Sequence, residues 1–162
     1  MKPQVITLTR HVDDRGDLCE LYRFSWDIMK DGDDKTMNAN QVYTVFDPAP
    51  HIIRAYHRHE HLWDLFHIAS GSAKFHLIPG PREFPIKGNA EVGDPAKRFT
   101  VTLSARKPQL LIVPPLWWHG WMSLEENTML VSIASHEYNP KYPDEERIPP
   151  GVFGPIWGID FK

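Results

Sequence analysis

The stretch Asp64-Leu-Phe-His-Ile-Ala-Ser-Gly-Ser-Ala-Lys-Phe-His-Leu-Ile78 decides how the chain folds. Two β-like runs, Leu65 to Ala69 and Ala73 to Ile78, flank Ser70-Gly71-Ser72. A glycine between two serines supplies the positive φ of a tight turn, so the segment predicts an antiparallel hairpin. Working outward, short runs of the same kind recur at Gln4 to Thr9, Leu18 to Phe24, Gln41 to Phe46, Ile52 to His57, Arg98 to Leu103, Gln109 to Val113 and Thr128 to Ala134. One short helix is expected over Phe24 to Lys30, ending at the polar loop Asp31-Gly32-Asp33-Asp34. The 15 prolines, almost twice average usage, argue against long helices. Many short strands separated by turns, with a Pro- and Gly-rich loop from Pro79 to Lys97, imply an all-β sandwich or jelly roll with a cavity at one mouth. Its 162 residues suit one domain over 1–162, with a jelly-roll core over 10–140 and an extended segment over 141–162.

Composition removes several classes of function. A net charge of -3 lacks the basic surplus of a nucleic-acid binder. The apolar stretch Leu110 to Trp118 is broken by Pro114 and Pro115 and falls short of the roughly 18 residues that cross a bilayer, so no membrane partner is expected. The N-terminus shows no apolar signal core, and Cys19 is the only cysteine. A reducing, cytoplasmic setting is therefore expected.

Histidine is the unusual residue. Five of the nine, His51, His57, His59, His61 and His67, crowd into positions 51–67. On a strand, His57 and His59 share one face and Arg58 takes the other. Asp64 follows five residues after His59, and His119 follows Pro114-Pro-Leu-Trp-Trp. This spacing is similar to the two cupin motifs, in which a His-x-His pair, a carboxylate and a later histidine bind one divalent metal. The matching set is His57, His59, Asp64 and His119, with Asp64 where glutamate is commoner and Leu116 where glycine is usual. Three imidazoles and a carboxylate suit Fe, Mn, Co, Ni or Zn. The same residues could instead line a cavity as hydrogen-bonding groups without metal. His61, His67 and His76 read as polar surface or pocket residues.

A longer resemblance runs through His11-Val-Asp-Asp-Arg-Gly-Asp-Leu-Cys-Glu20, Gln41, Ile53-Arg-Ala-Tyr-His57, Leu111-Ile-Val-Pro-Pro-Leu-Trp-Trp-His-Gly120, Tyr138-Asn-Pro140, Pro143 to Ile148 and Gly158-Ile-Asp-Phe161. In order and spacing these stretches resemble the dTDP-4-dehydrorhamnose 3,5-epimerase family, the RmlC-type cupins. The resemblance implies a cupin jelly-roll homodimer that acts, without a cofactor, on a nucleotide-linked 4-keto sugar in deoxysugar or polysaccharide biosynthesis. A base removes the proton α to the ketone and an acid returns one on the opposite face. Carried over by position, His57 is the base, with His119 beside it as a catalytic candidate. Arg54 holds substrate, and Arg15, Glu20 and Gln41 contact the nucleotide.

The chain departs from that pattern at three places. Ser132 stands where the family has its tyrosine acid, and Asp64 where it has a lysine. Pro149-Pro-Gly-Val-Phe-Gly154 holds no carboxylate to partner the histidine. A serine hydroxyl is far less acidic than a phenol, so Tyr43 or Tyr138 is a candidate substitute. A metal on His57 would also remove its lone pair from the base role, leaving proton transfer to Glu60, His67 or water. Three alternatives therefore stand: a nucleotide-sugar epimerase or ketoisomerase, a divalent-metal cupin enzyme, and a non-catalytic sugar-nucleotide binder. Trp63, Trp117, Trp118 and Trp121 read mainly as packing, Asp144-Glu-Glu146 as a charged surface segment, and Cys19 as a small buried strand residue.

Overall fold

Twelve short strands form in the computed structural model, which describes residues 1–88 and 91–159. In chain order they are β1 Gln4–Thr7, β2 Arg10–Asp13, β3 Gly16–Cys19, β4 Gln41–Asp47, β5 Ile53–Arg58, β6 Asp64–Ser70, β7 Ser72–Pro79, β8 Phe99–Ser104, β9 Gln109–Val113, β10 Trp117–Ser123, β11 Thr128–Ala134 and β12 Glu146–Arg147. Two five-stranded sheets form, ordered β1-β9-β6-β11-β4 and β12-β5-β10-β7-β8, and β2 and β3 make a separate hairpin. All the pairings within them are antiparallel. The chain is an all-β jelly roll, as the sequence implies.

The expected antiparallel hairpin over residues 64–78 does not form: β6 pairs with β9 and β11 and β7 with β8 and β10, so the Ser70-Gly71-Ser72 turn, with Gly71 at φ 71°, carries the chain from one sheet to the other instead of pairing the two strands. A Cβ at Gly71 would lie 2.6 Å from Thr128 Oγ1, so both conformation and space demand glycine. Between the sheets lie Phe66, Ile68, Phe75, Leu77, Leu111 and Trp121. Each sheet is also covered outside. Met29, Trp63, Leu65 and Leu110 pack beneath residues 21–39. Tyr56, Ile78 and Trp118 pack beneath the C-terminal Phe153, Ile156 and Trp157. No helix among the described residues is long and apolar enough to cross a membrane.

Three further local expectations change. The helix over Phe24 to Lys30 contracts to a single 3-10 turn, Phe24–Trp26, stopped by Asp27 in the left-handed region. The strand expected over Leu18 to Phe24 ends at Cys19, because its partner β2 is only four residues long. β10 lacks a periodic signature because nearly every one of its residues is buried, as happens in a strand covered on both faces. The end of the Gly158-Ile-Asp-Phe161 stretch, residues 160–162, lies outside the described residues.

Candidate active site

His57 on β5 and His119 on β10 are direct cross-strand partners, which sets their imidazoles side by side with Nε2 atoms 2.8 Å apart. The β5–β10 register shifts immediately after His119. There Gly120 lets the strands close up, since a Cβ at 120 would stand 2.3 Å from Ala55 Cβ. Asp64 opens β6 in the opposite sheet, and its Oδ2 lies 3.3 Å from His59 Nε2 and 3.2 Å from His119 Nε2. One donor atom from each of His57, His59, Asp64 and His119 falls within 4.8 Å of all the others. The two sheets face one another across the crossover at Gly71, and that packing brings the carboxylate of one sheet to the imidazoles of the other.

Hydrogen bonds outside this group fix the ring orientations. His119 Nδ1 donates to the Trp117 carbonyl at 2.8 Å, and His59 Nδ1 donates to the Asp144 carbonyl. A carbonyl only accepts, so both Nδ1 atoms carry protons and the Nε2 atoms turn inward. Ser132 Oγ donates to Asp64 Oδ1 at 3.3 Å, whereas the buried Asp64 Oδ2 receives no well-formed hydrogen bond.

Burial, followed by the neighbouring His119, holds the His57 imidazole well below its ordinary pKa. Burial opposes charge on His59 too, but the adjacent Asp64 carboxylate outweighs it and raises that pKa. For Asp64, burial favours the neutral acid, yet the adjacent His119 and His59 imidazoles outweigh it and hold the carboxyl far below the usual range. The group can serve as a buried proton store or as a ligand set of three imidazoles and one carboxylate.

A cavity of about 990 Å³ opens over this group. Gln41, Arg54 and Tyr43 line it together with His57, His59 and Asp64. Arg54 sends Nε and Nη2 to Asp47 Oδ1 at 2.8 and 2.6 Å and is half-exposed, leaving donors for a ligand. Burial, then the charge of Asp64, pushes the Tyr43 phenol up to about 12. Arg15 and Glu20 do not line this cavity. Arg15 pairs with Asp13 at 2.5 Å at the tip of the β2–β3 hairpin, and Glu20 pairs with Arg23. Glu60 is exposed, and His67 Nδ1 donates to the Gln109 carbonyl at 3.0 Å. Trp118 and Trp63 are buried, Trp117 donates to the Met1 carbonyl, and Trp121 reaches the cavity wall.

The segment Asp144-Glu-Glu146 is not a solvated surface run. The Asp144 carboxylate accepts the backbone N–H groups of Glu60, His61 and Leu62 at 2.7, 3.1 and 2.9 Å. Glu146 pairs at 2.7 Å with Arg58, whose side chain is fully buried. Tyr142, Asp144 and Arg147 form one wall of the cavity. These contacts span more than 80 residues of sequence, so local charge patterning carries no trace of them.

No family model matches the chain. It is 28% identical over 163 residues to the spore coat polysaccharide biosynthesis protein SpsL of Bacillus subtilis, covering 98% of this chain and 97% of that protein. It is 27% identical over 148 residues to a probable low-salt glycan biosynthesis epimerase, Agl13, of Haloferax volcanii, covering 90% and 85%. Among solved structures, a dTDP sugar isomerase from Desulfovibrio desulfuricans G20 superposes with a TM-score of 0.73 at 21% identity, over 98% of this chain and 92% of that one. The rmlC epimerase of Mycobacterium tuberculosis gives 0.70 at 20%, over 92% and 70%. The chain carries the RmlC-like cupin fold. Within that RmlC-like frame, two of the sequence departures are physically joined, since Ser132 is the hydrogen-bond donor to Asp64.

Proposed function

We propose that the chain is an isomerase that epimerises or ketoisomerises a dTDP-linked 4-keto-6-deoxy sugar during polysaccharide or glycan assembly. The observation that carries this is His57, backed by the buried His119 at 2.8 Å, lining a cavity of about 990 Å³ whose walls also bear Arg54 and Arg147. The relatives in glycan and spore-coat polysaccharide synthesis, and the dTDP sugar isomerase of like fold, support the same class of substrate. Guanidinium groups bind diphosphate oxygens in bidentate fashion, which suits Arg54 and Arg147 to the nucleotide end.

Proton abstraction falls to His57, kept neutral by burial. Its Nε2–H is donated to His119 Nε2, and the remaining lone pair, on Nδ1, takes the proton α to the ketone. Tyr43 returns a proton: its phenol stays protonated to about pH 12, and its Cα lies directly opposite Ser132, where the family carries tyrosine. No cofactor enters these steps. A homodimer completes the site in this reading. The β2–β3 hairpin exposes Val12 and Leu18, the edge strand β4 exposes Val42 and Phe46, and their mutual burial would carry Arg15 and Glu20 towards a second subunit's cavity.

The test is solvent deuterium incorporation into dTDP-4-keto-6-deoxyglucose, read by mass spectrometry. Wild-type protein is expected to label the sugar, and His57→Ala to lose labelling by at least about 100-fold. Labelling that survives in His57→Ala removes the base assignment. No labelling, together with no thermal protection by millimolar dTDP, refutes the isomerase reading.

A further inference from the structure

We infer that Asp47 is a positioning residue: it fixes the guanidinium of Arg54, and through it the diphosphate of the ligand, so that the sugar meets His57. This role rests on the isomerase reading for the identity of the ligand and deepens it. Alternation along a strand would put Arg54 and His57, three residues apart, on opposite faces of β5. They share the cavity wall because the register against β10 slips between them. His57 lies opposite His119 and Arg54 opposite Trp121, so three steps along β5 match two along β10. The extra residue turns Arg54 inward, as a β-bulge re-aims a side chain.

The bulge selects the face, and Asp47 selects the orientation. Asp47 ends β4 in the other sheet, and its Oδ1 accepts Nε–H and Nη2–H of Arg54 at 2.8 and 2.6 Å. The guanidinium carbon stands 6.0 Å from the centre of the Trp121 ring, which forms cavity wall. One edge of the fork is thus held, and Nη1, which meets no acceptor among the described residues, is left for the ligand. The turn between Asp47 and Arg54 is fastened as well. Fully buried Ser123 accepts the Ile52 N–H through Oγ at 3.0 Å, donates to the Ala49 carbonyl at 2.9 Å, and its own carbonyl accepts the His51 N–H at 2.7 Å.

Asp47 itself is fully buried, so it acts on a ligand only through Arg54. Its Oδ2 has no hydrogen-bond partner, a condition that costs stability. A local rule broken in this way is expected where a residue serves function, and holding the guanidinium is what this carboxylate supplies. Its effects on affinity oppose each other. Fixing a long side chain in advance returns about 2- to 10-fold. Repulsion between a phosphate and an anion on the far edge of the guanidinium takes a similar amount away. What remains is geometry, which appears in kcat, because a displacement of about 1 Å costs up to about 100-fold.

The test is the rate of deuterium labelling of dTDP-4-keto-6-deoxyglucose as a function of substrate concentration. Asp47→Asn is expected to lower kcat at least about 10-fold and to leave KM within about 3-fold of wild type. Arg54→Lys, at a half-exposed position, keeps the charge and loses the fork, and is expected to lose kcat in the same way. In an Arg54→Ala background, Asp47→Asn is expected to change kcat less than about 2-fold, since the group it acts through is gone. Wild-type kcat in Asp47→Asn overturns the positioning role, as does an equal loss in the Arg54→Ala background, which a purely structural role would give. If Asp47→Asn fails to fold, Arg54→Lys decides, and wild-type kcat there overturns the role too. If wild-type protein labels no sugar, the isomerase reading fails and the pair is judged by nitrogen-edited NMR. The Arg54 Nε–H signal, assigned by its loss in Arg54→Lys, is expected to exchange slowly in wild type and fast in Asp47→Asn. Fast exchange in wild type, or no change in Asp47→Asn, overturns the role independently of any turnover.

Discussion

Replacing Glu146 with alanine tests the contact that fastens the C-terminal segment to the cavity. Arg58 is fully buried beside the Trp118 ring, and its guanidinium has three partners: Glu146 at 2.7 and 2.8 Å, the Pro81 carbonyl at 2.6 Å and the Glu83 carbonyl at 2.6 Å. Glu146→Ala removes the only anion among them and also takes the acceptor from the Ile86 N–H, 3.0 Å away. Breaking a buried ion pair by deleting one member costs about 3–5 kcal/mol, because a charge is left without its counter-ion. The two remaining carbonyls place this case at the lower end, about 3 kcal/mol. For a domain of this size that corresponds to a fall in Tm of about 6–12 °C. Differential scanning calorimetry, with denaturant unfolding as a second probe, measures it. Glu145→Ala is the control: its partner Arg147 is largely exposed, so the loss should stay below about 1 kcal/mol. If Glu146→Ala moves Tm by less than about 2 °C, water reaches the guanidinium and the Arg58–Glu146 pair does not anchor the segment.

Gly71→Ala should cost about 2 kcal/mol or more, because it places an L side chain at φ 71° and a Cβ 2.6 Å from Thr128 Oγ1; chemical denaturation reads this directly. Gly120→Ala should force β5 away from β10 at the register shift, separating His57 from His119, so deuterium labelling should be lost in protein that still folds. At high pH, Tyr43 and Tyr56, both raised chiefly by burial, remain protonated in the fold after an unfolded chain ionises near pH 10. The unfolded state therefore binds fewer protons, and stability should decline as pH rises above about 10. A tyrosinate absorbance titration should show Tyr43 and Tyr56, and Tyr22, which burial also raises, ionising late.

Much of the fold was legible because it rests on local chemistry. Ser70-Gly71-Ser72 between two apolar runs specifies a tight turn between two strands, but not that those strands part into different sheets, which only their long-range partners decide. The His57-Arg58-His59 period was legible for the same reason: alternation along a strand sends Arg58 away from the cavity, where it is buried on the other side. β10 was not, since a strand covered on both faces has no alternation to read. Nor did a helical pattern over Phe24 to Lys30 survive, because packing of the 21–39 segment onto the sheet overrides a weak propensity.

By itself, then, the sequence determined the all-β class, the turn at Gly71 and the supply of histidines near one strand, because each depends on neighbours a few residues apart. Only the tertiary structure decided which donors meet. Asp64 reaches His119 because β6 and β10 face one another from opposite sheets, 55 positions apart in number. Asp144 and Glu146, which look like surface charge in sequence, become internal fastenings because the returning C-terminal segment sets them against residues 58–62. Charge carries no address along a chain. The free energy of a buried ion pair or ligand set depends on distance and dielectric, and both are fixed only when the two sheets close.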